Sequence, residues 1–149
     1  MNSLINNACW QEECGCAPKY FTLEGPITYD AFCLGGFRTC SVTMCGGDCP
    51  CARCCYQNSI CVRGRKQITW GFLLRTIDAC CIRLLVDFYD KAGCHVTCKR
   101  ESIEECVGHE FTRKMCCFDV PRTAVSAKLS IEFEGRVTAC TFCAPSAHF

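Results

Sequence analysis

The residues with the most chemistry to offer are the twenty cysteines of this 149-residue chain. Thiols in that number serve disulfides, zinc or redox exchange, and their spacing separates the three. Cys51-Ala52-Arg53-Cys54 and Cys140-Thr141-Phe142-Cys143 are CxxC pairs, each half of a tetrahedral zinc site. Cys94-His95-Val96-Thr97-Cys98 adds a histidine. A zinc ribbon places its second pair about 15–20 residues on. Here the pairs lie 86 residues apart, from Cys54 to Cys140, so a site needs distant segments to converge. A redox CxxC opens a helix after a strand, where the dipole lowers the thiol pKa. Cys51 lies in a Pro/Gly-rich stretch and Cys140 in a strand pattern, so redox catalysis is not expected. His95, His109 and His148 share no context, and neither a serine-nucleophile motif nor a phosphate-binding glycine loop is present. The chain is expected to be no enzyme, with no cofactor and no metal.

Disulfides are the leading use for so many thiols. A chain of about 150 residues buries roughly 68–70% of its unfolded surface and folds without cross-links. Ten potential disulfides therefore exceed what folding requires, and the surplus points to durability or cross-linking between subunits. Adjacent cysteines occur at Cys54-Cys55, Cys80-Cys81 and Cys116-Cys117. On a strand, neighbouring side chains point to opposite faces. Cys81 and Cys117 are thus outward candidates for inter-subunit bonds, together with Cys9, Cys14 and Cys16 near the N-terminus. The candidates for bonds within the chain are Cys33, Cys40, Cys45, Cys49, Cys51, Cys54, Cys55 and Cys61. Cys80, Cys94, Cys98, Cys106, Cys116, Cys140 and Cys143 complete that set. Connectivity does not follow from spacing.

Charge and targeting narrow the partners. Sixteen Lys and Arg against fifteen Asp and Glu leave a net charge of +1, too little to attract nucleic acid. No run approaches the ~18 apolar residues of a membrane span. Arg63-Gly64-Arg65-Lys66 reads as a solvated turn. The opening Met1-Asn2-Ser3-Leu4-Ile5 lacks the basic and apolar regions of a signal peptide. The expectation is synthesis in the cytoplasm and a final place on an extracellular, spore or virion surface.

Positioning these thiols falls to short strands. Residues 1–18 show no period and read as a flexible, cysteine-bearing connector arm, with Trp10 as an anchor for a neighbour's groove; 19–149 read as one β-sandwich domain. Tyr20 to Leu23, Ile27 to Leu34 and Phe37 to Met44 are strand-like runs broken by Gly and Pro. Residues 45–61 combine six cysteines with Gly46, Gly47, Asp48 and Pro50 and read as a thiol-stapled loop. Residues 68–89 are apolar enough for a long helix. However, Cys80, Ile82, Leu84, Val86 and Phe88 alternate with Cys81, Arg83, Leu85, Asp87 and Tyr89, and period two predicts a strand. Asp90 to Gly93 is then a hairpin turn and Cys94 to Lys99 the returning strand. Glu101 to Gly108 reads as polar with a short helical turn. Phe111 to Val120 is another strand, ending at Pro121. Val125, Ala127, Leu129, Ile131 and Phe133 face one way, with Ser126, Lys128, Ser130, Glu132 and Glu134 opposite. Gly135 is expected to turn the chain into a last strand from Val137 to Cys143. The pattern is an all-β jelly roll or β-sandwich of about eight strands.

Residues 80–143 resemble the C-terminal part of jelly rolls of the carbohydrate-binding-module (galactose-binding-like) type. The resemblance rests on Leu84-Leu85-Val86-Asp87-Phe88-Tyr89-Asp90-Lys91-Ala92-Gly93, a polar crossover, the corner Asp119-Val120-Pro121, and the alternating Ala124 to Ile131. In that family the last strand often carries an Asp. This chain has Val137-Thr138-Ala139-Cys140 there, so a metal or ligand role for that Asp is not implied. In size, thiol density and N-terminal arm the chain is also similar to cysteine-rich bacterial endospore coat and appendage subunits, and to cysteine-rich capsid proteins of large DNA viruses. These resemblances imply a structural, self-assembling subunit of a disulfide-cross-linked layer, coat or fibre, whose partners are copies of itself. The alternatives are a carbohydrate-binding module, with surface glycans as partners, and an intracellular zinc-binding adaptor.

Overall fold

In the computed structural model, residues 4–5, 13–14, 17–18, 20–24, 27–34, 37–45, 52–103, 110 and 112–149 are described. Of these, 13–14, 17–18, 27–34, 37–45, 52, 76–81 and 134–144 are described through their backbone. The elements in chain order are β1 (Glu13–Cys14), β2 (Ala17–Pro18), β3 (Phe21–Glu24), β4 (Ile27–Leu34), β5 (Phe37–Cys45) and β6 (Ala52–Tyr56). They continue with β7 (Ile60–Cys61), β8 (Gln67–Tyr89), β9 (His95–Ser102), β10 (Thr112–Asp119) and β11 (Ser126–His148). All are strands, and the described residues contain no helix.

Two 23-residue strands, β8 and β11, organise the rest. They pair antiparallel along most of their length. Each takes different neighbours on its two halves. The later half of β8 is flanked by β9, and the first half of β11 by β6 and β7, with β3 beyond β6. This front sheet runs β9-β8-β11-β6-β3. The first half of β8 is flanked by β10, and the later half of β11 by β5 and then β4. This back sheet runs β10-β8-β11-β5-β4. Register shifts between Glu134 and Val137, and between Cys143 and Ser146, mark irregularities in the shared ladder. A β-bulge adds local twist and bend, which is how one long strand serves both layers of a sandwich.

The period-two expectation for 68–89 holds. Ile68, Trp70, Phe72 and Leu74, then Ile82, Leu84, Val86 and Phe88, are all buried in one core cluster. Ala127, Leu129, Ile131 and Phe133 of β11 join the same cluster. Successive side chains on a strand alternate faces, so the even positions of β8 at 68–74 and at 82–88 enter the core. The hairpin is also as expected. Gly93 N donates to Asp90 O at 3.0 Å, with Gly93 at φ +82°. Asp90 Oδ1 accepts from the amides of Ala92 and Cys94, each at 2.9 Å. That is a turn closed by a left-handed glycine.

Three expectations change. The 45–61 loop contains β6 and β7, because Cys54 and Tyr56 alternate against Arg53 and Cys55 and pair with β11 through Ile131↔Cys54 and Glu132↔Arg53. Thiols beside Gly and Pro mask that period in the sequence. Gly135 does not end a strand: β8 is the partner of β11 on both sides of it, so the chain continues through a register shift. Glu101 and Ser102 belong to β9 rather than to a helical turn; 104–109 lie outside the described residues. Within the expected arm, β1 and β2 form a small hairpin, Leu4 N donates to Ala147 O at 2.7 Å, and Ile5 is buried in the core.

Candidate functional site

The outward face of the front sheet gathers polar side chains into rows. Each row follows from ladder register, since directly opposed residues share a face. One row reads Ser102, Arg83, Glu132, Arg53, Glu24 across β9, β8, β11, β6 and β3. The next reads Arg100, Leu85, Ser130, Cys55, Thr22. A third holds Cys98, Asp87 and Lys128, and a fourth His95, Tyr89, Ser126 and Cys61. The odd positions of 83–89 and the even positions of 126–132 supply the centre of this grid because their neighbours of opposite parity are claimed by the core.

The rows are electrostatically ordered. Glu132 takes Arg83 on one oxygen, Nη2 to Oε1 at 2.8 Å, and Arg53 on the other, Nη2 to Oε2 at 3.0 Å. The hydrogen bond to Glu132 raises the pKa of Arg53 further. Asp87 Oδ1 lies 3.0 Å from His95 Nε2. The Tyr89 ring meets the His95 ring edge-on at 5.4 Å, with Lys128 Nζ 5.8 Å from its centroid. Burial, aided by Asp87, pushes the Tyr89 hydroxyl pKa up.

At the middle of the grid two residues are covered although they face away from the core. Leu85 is 1% and Ser130 5% exposed. Their neighbours in the grid include Arg83, Arg100, Lys128 and Glu132, and long side chains of this kind lay their stems over the surface beneath them. Ser130 Oγ is buried without a hydrogen-bond partner. The face therefore carries a covered apolar and hydroxyl centre surrounded by charged side chains. Such an array offers many oriented donors and acceptors. It suits a ligand rich in hydroxyls, because a carboxylate or guanidinium spans two neighbouring hydroxyls at once.

The cysteines divide by face. Cys54 is in the core and Cys116 packs against it; Cys117 is exposed on the opposite face from Cys116. Cys55 and Cys98 stand on the front face, and Cys61 and Cys94 are exposed. All seven are free thiols in this structure. Burial pushes the Cys54 thiol pKa well up and those of Cys55, Cys98 and Cys116 upward. The backbone places Cys14 in β1, Cys33 in β4, Cys40 and Cys45 in β5, Cys80 and Cys81 in β8, and Cys140 and Cys143 in β11. Cys9, Cys16, Cys49, Cys51 and Cys106, together with Trp10, lie outside the described residues. Among the described residues no group of three His, Cys, Asp or Glu is arranged to hold a metal. His95, a candidate zinc ligand in the sequence, is instead turned to Asp87.

No motif in the sequence alone marks Arg53, Arg83, Asp87, Glu132 or Ser130 as site residues. A signal existed in the charges alternating with apolar residues over 83–89 and 126–134. Which strands lie beside them is not contained in that local pattern.

No family model matches the chain, and no curated protein matches it. Solved structures do. The enzymatically active domain of tailspike protein 4 from bacteriophage CBA120 superposes with a TM-score of 0.73 at 16% identity, over 97% of this chain and 21% of that one. This chain thus spans a small part of the tailspike's length. TmCBM61, solved in complex with β-1,4-galactotriose, gives a TM-score of 0.57 at 9% identity over 99% of both chains. The family 11 carbohydrate-binding module of the Clostridium thermocellum cellulase Lic26A-Cel5E gives 0.57 at 8% identity over 86% of both. The chain shares the β-sandwich jelly roll of carbohydrate-binding modules. The likeness concerns the jelly roll and carries nothing about endospore coats or appendages.

Proposed function

We propose that this protein is a non-catalytic carbohydrate-binding module whose ligand lies on the outward face of the front sheet. The observation that carries the reading is the grid itself. Four rows of donors and acceptors are held by ladder register around a covered Leu85–Ser130 centre. Ligand sites combine an apolar surface with a few placed polar groups. Here the Tyr89 ring supplies an apolar surface for the C–H face of a sugar, and Asp87, Lys128 and Arg100 reach its hydroxyls. The Arg83–Glu132–Arg53 bridge holds two guanidinium groups in place before ligand arrives, which lowers the ordering cost of binding. Neighbours of the same fold include modules solved with sugars, which supports the class of ligand and leaves the particular sugar to experiment.

The test is isothermal titration of the folded chain with β-1,4-linked galactose, glucose and xylose oligosaccharides, beside Tyr89→Ala and Asp87→Asn variants. Saturable binding to at least one, weakened at least tenfold in both variants, is expected. Absence of binding to all three, or binding untouched by either change, rejects the site.

A second reading, self-assembly through disulfides, draws on the exposed Cys117. Under this reading, oxidised protein forms multimers on a non-reducing gel, and Cys117→Ser lowers their yield. A monomer under oxidising conditions counts against it.

A further inference from the structure

The basic run Arg63 to Lys66 is not an isolated solvated turn. Arg65 N donates to Val62 O at 3.0 Å, and Gly64, third in the turn, has φ +74°. A left-handed third residue closes a type II turn and favours glycine. A second turn faces it, where Ala124 N donates to Pro121 O at 3.1 Å. The two are joined at their base. Val120 N donates to Lys66 O at 2.8 Å, and Gln67 Nε2 donates to Asp119 Oδ1 at 3.0 Å.

Between the turns lies a cleft of about 390 Å³ lined by Arg65, Lys66 and Arg122, with Asp119 as its one carboxylate. That volume is within the roughly 300–1,000 Å³ of small-ligand sites. The Arg65 guanidinium carbon sits 4.3 Å from the Phe149 ring centroid, a stacking contact that fixes its plane. Three cations against one carboxylate leave a local excess of two positive charges, and the walls are backbone turns already hydrogen-bonded. Arginine presents a planar fork that matches a carboxylate, sulfate or phosphate bidentately, and lysine adds a point charge.

We infer that this cleft binds an oxyanion group between Arg65, Lys66 and Arg122. The group is either a free ion or an acidic substituent on a sugar chain, and both present the same chemistry to the three cations. The inference does not depend on the front-face site.

The test is NMR titration of the full chain at low ionic strength with four probes: sodium sulfate, inorganic phosphate, a galacturonate oligosaccharide and its neutral galactose counterpart. Saturable shifts centred on the amides of 64–66 and 122–124 are expected with at least one acidic probe. They should weaken at least tenfold in a Lys66→Gln/Arg122→Gln double variant and with added salt. Lys114→Gln, a charge removed further along β10, should leave them unchanged. Both cleft residues are exposed, so the double variant should keep its melting temperature; Arg65→Gln serves as a second variant if it does not. Binding of sulfate or phosphate alone assigns a free ion, and binding of the galacturonate chain only assigns a sugar-borne acid. No saturable acidic binding, or equal binding in the double variant, overturns the anion site. Binding of the neutral oligosaccharide alone overturns it too, while leaving the front-face reading intact.

Discussion

Replacing Glu132 by Gln tests the row that organises the front face. The side chain keeps its shape but loses its charge, and one end now presents an amide donor to a guanidinium. Exposure decides the magnitude. Glu132 is 15% exposed, Arg83 23% and Arg53 40%. Arg53 is screened by water, so its share falls in the low part of the ~0.2–1 kcal/mol found for surface pairs. Arg83 is better covered, and a hydrogen bond between charged groups is worth ~1.5–3 kcal/mol, of which we take the lower end. The sum is about 2 kcal/mol. At ~2–4 °C per kcal/mol for a chain of this size, the melting temperature should fall by about 4–8 °C. Thermal unfolding by circular dichroism, with Arg83→Gln and Arg53→Gln in a double-mutant cycle, measures this directly. Coupling should be larger for Arg83 than for Arg53, and high salt should erode the Arg53 part first. A change under 1 °C would show that this row holds nothing in place, and the larger coupling at Arg53 would refute the ranking by exposure. Oligosaccharide affinity should fall in the same variant, since the two guanidinium groups lose their common anchor.

Other outcomes follow from single contacts. A Cβ at Gly71 would collide with the Lys114 carbonyl oxygen, and that atom belongs to the paired strand β10. Gly71→Ala should therefore cost about 3 kcal/mol, at or above the upper end for overpacking, and lower the melting temperature by 6 °C or more on the ~2–4 °C scale; wild-type stability would disprove the close approach. Ile5→Ala removes a core side chain supplied by the N-terminal segment and should cost ~2–4 kcal/mol, whereas a free arm would show no change in chemical denaturation. The Cys54 thiol keeps its proton when folded, its pKa pushed well above the ordinary 9.0 by burial, while the unfolded thiol ionises near that value. The unfolded state then binds fewer protons at high pH, so stability is intact below about 9 and declines above it, by ~1.4 kcal/mol per pH unit for one thiol. Cys54→Ala should flatten that decline in melting temperature against pH. In reduced, folded protein, among the seven cysteines whose side chains are described, iodoacetamide should label the exposed Cys61, Cys94 and Cys117 first and Cys54 last, as mass spectrometry of peptides would show.

Much of the fold is local in origin and was legible in the chain. Period-two alternation over 80–89 and 125–133, the Asp90–Gly93 turn and the Pro121 stop identify strands and a hairpin, because a pleated backbone sends successive side chains to opposite faces. The same alternation already marks Arg83, Asp87, Lys128 and Glu132 as residues the core does not claim. Other features were decided by tertiary structure. β6 is a strand because β11 and β3 lie on either side of it. Gly135 is passed without a turn because β8 offers a partner on both sides. Glu132 meets Arg53, 79 positions away, only after β6 pairs with β11. The anion cleft likewise needs two turns distant in sequence to be joined by Val120 N and Lys66 O. Local pattern sets which face a residue takes. Which residues share that face is set by strand order and register, and these depend on long-range pairing that no window of sequence contains.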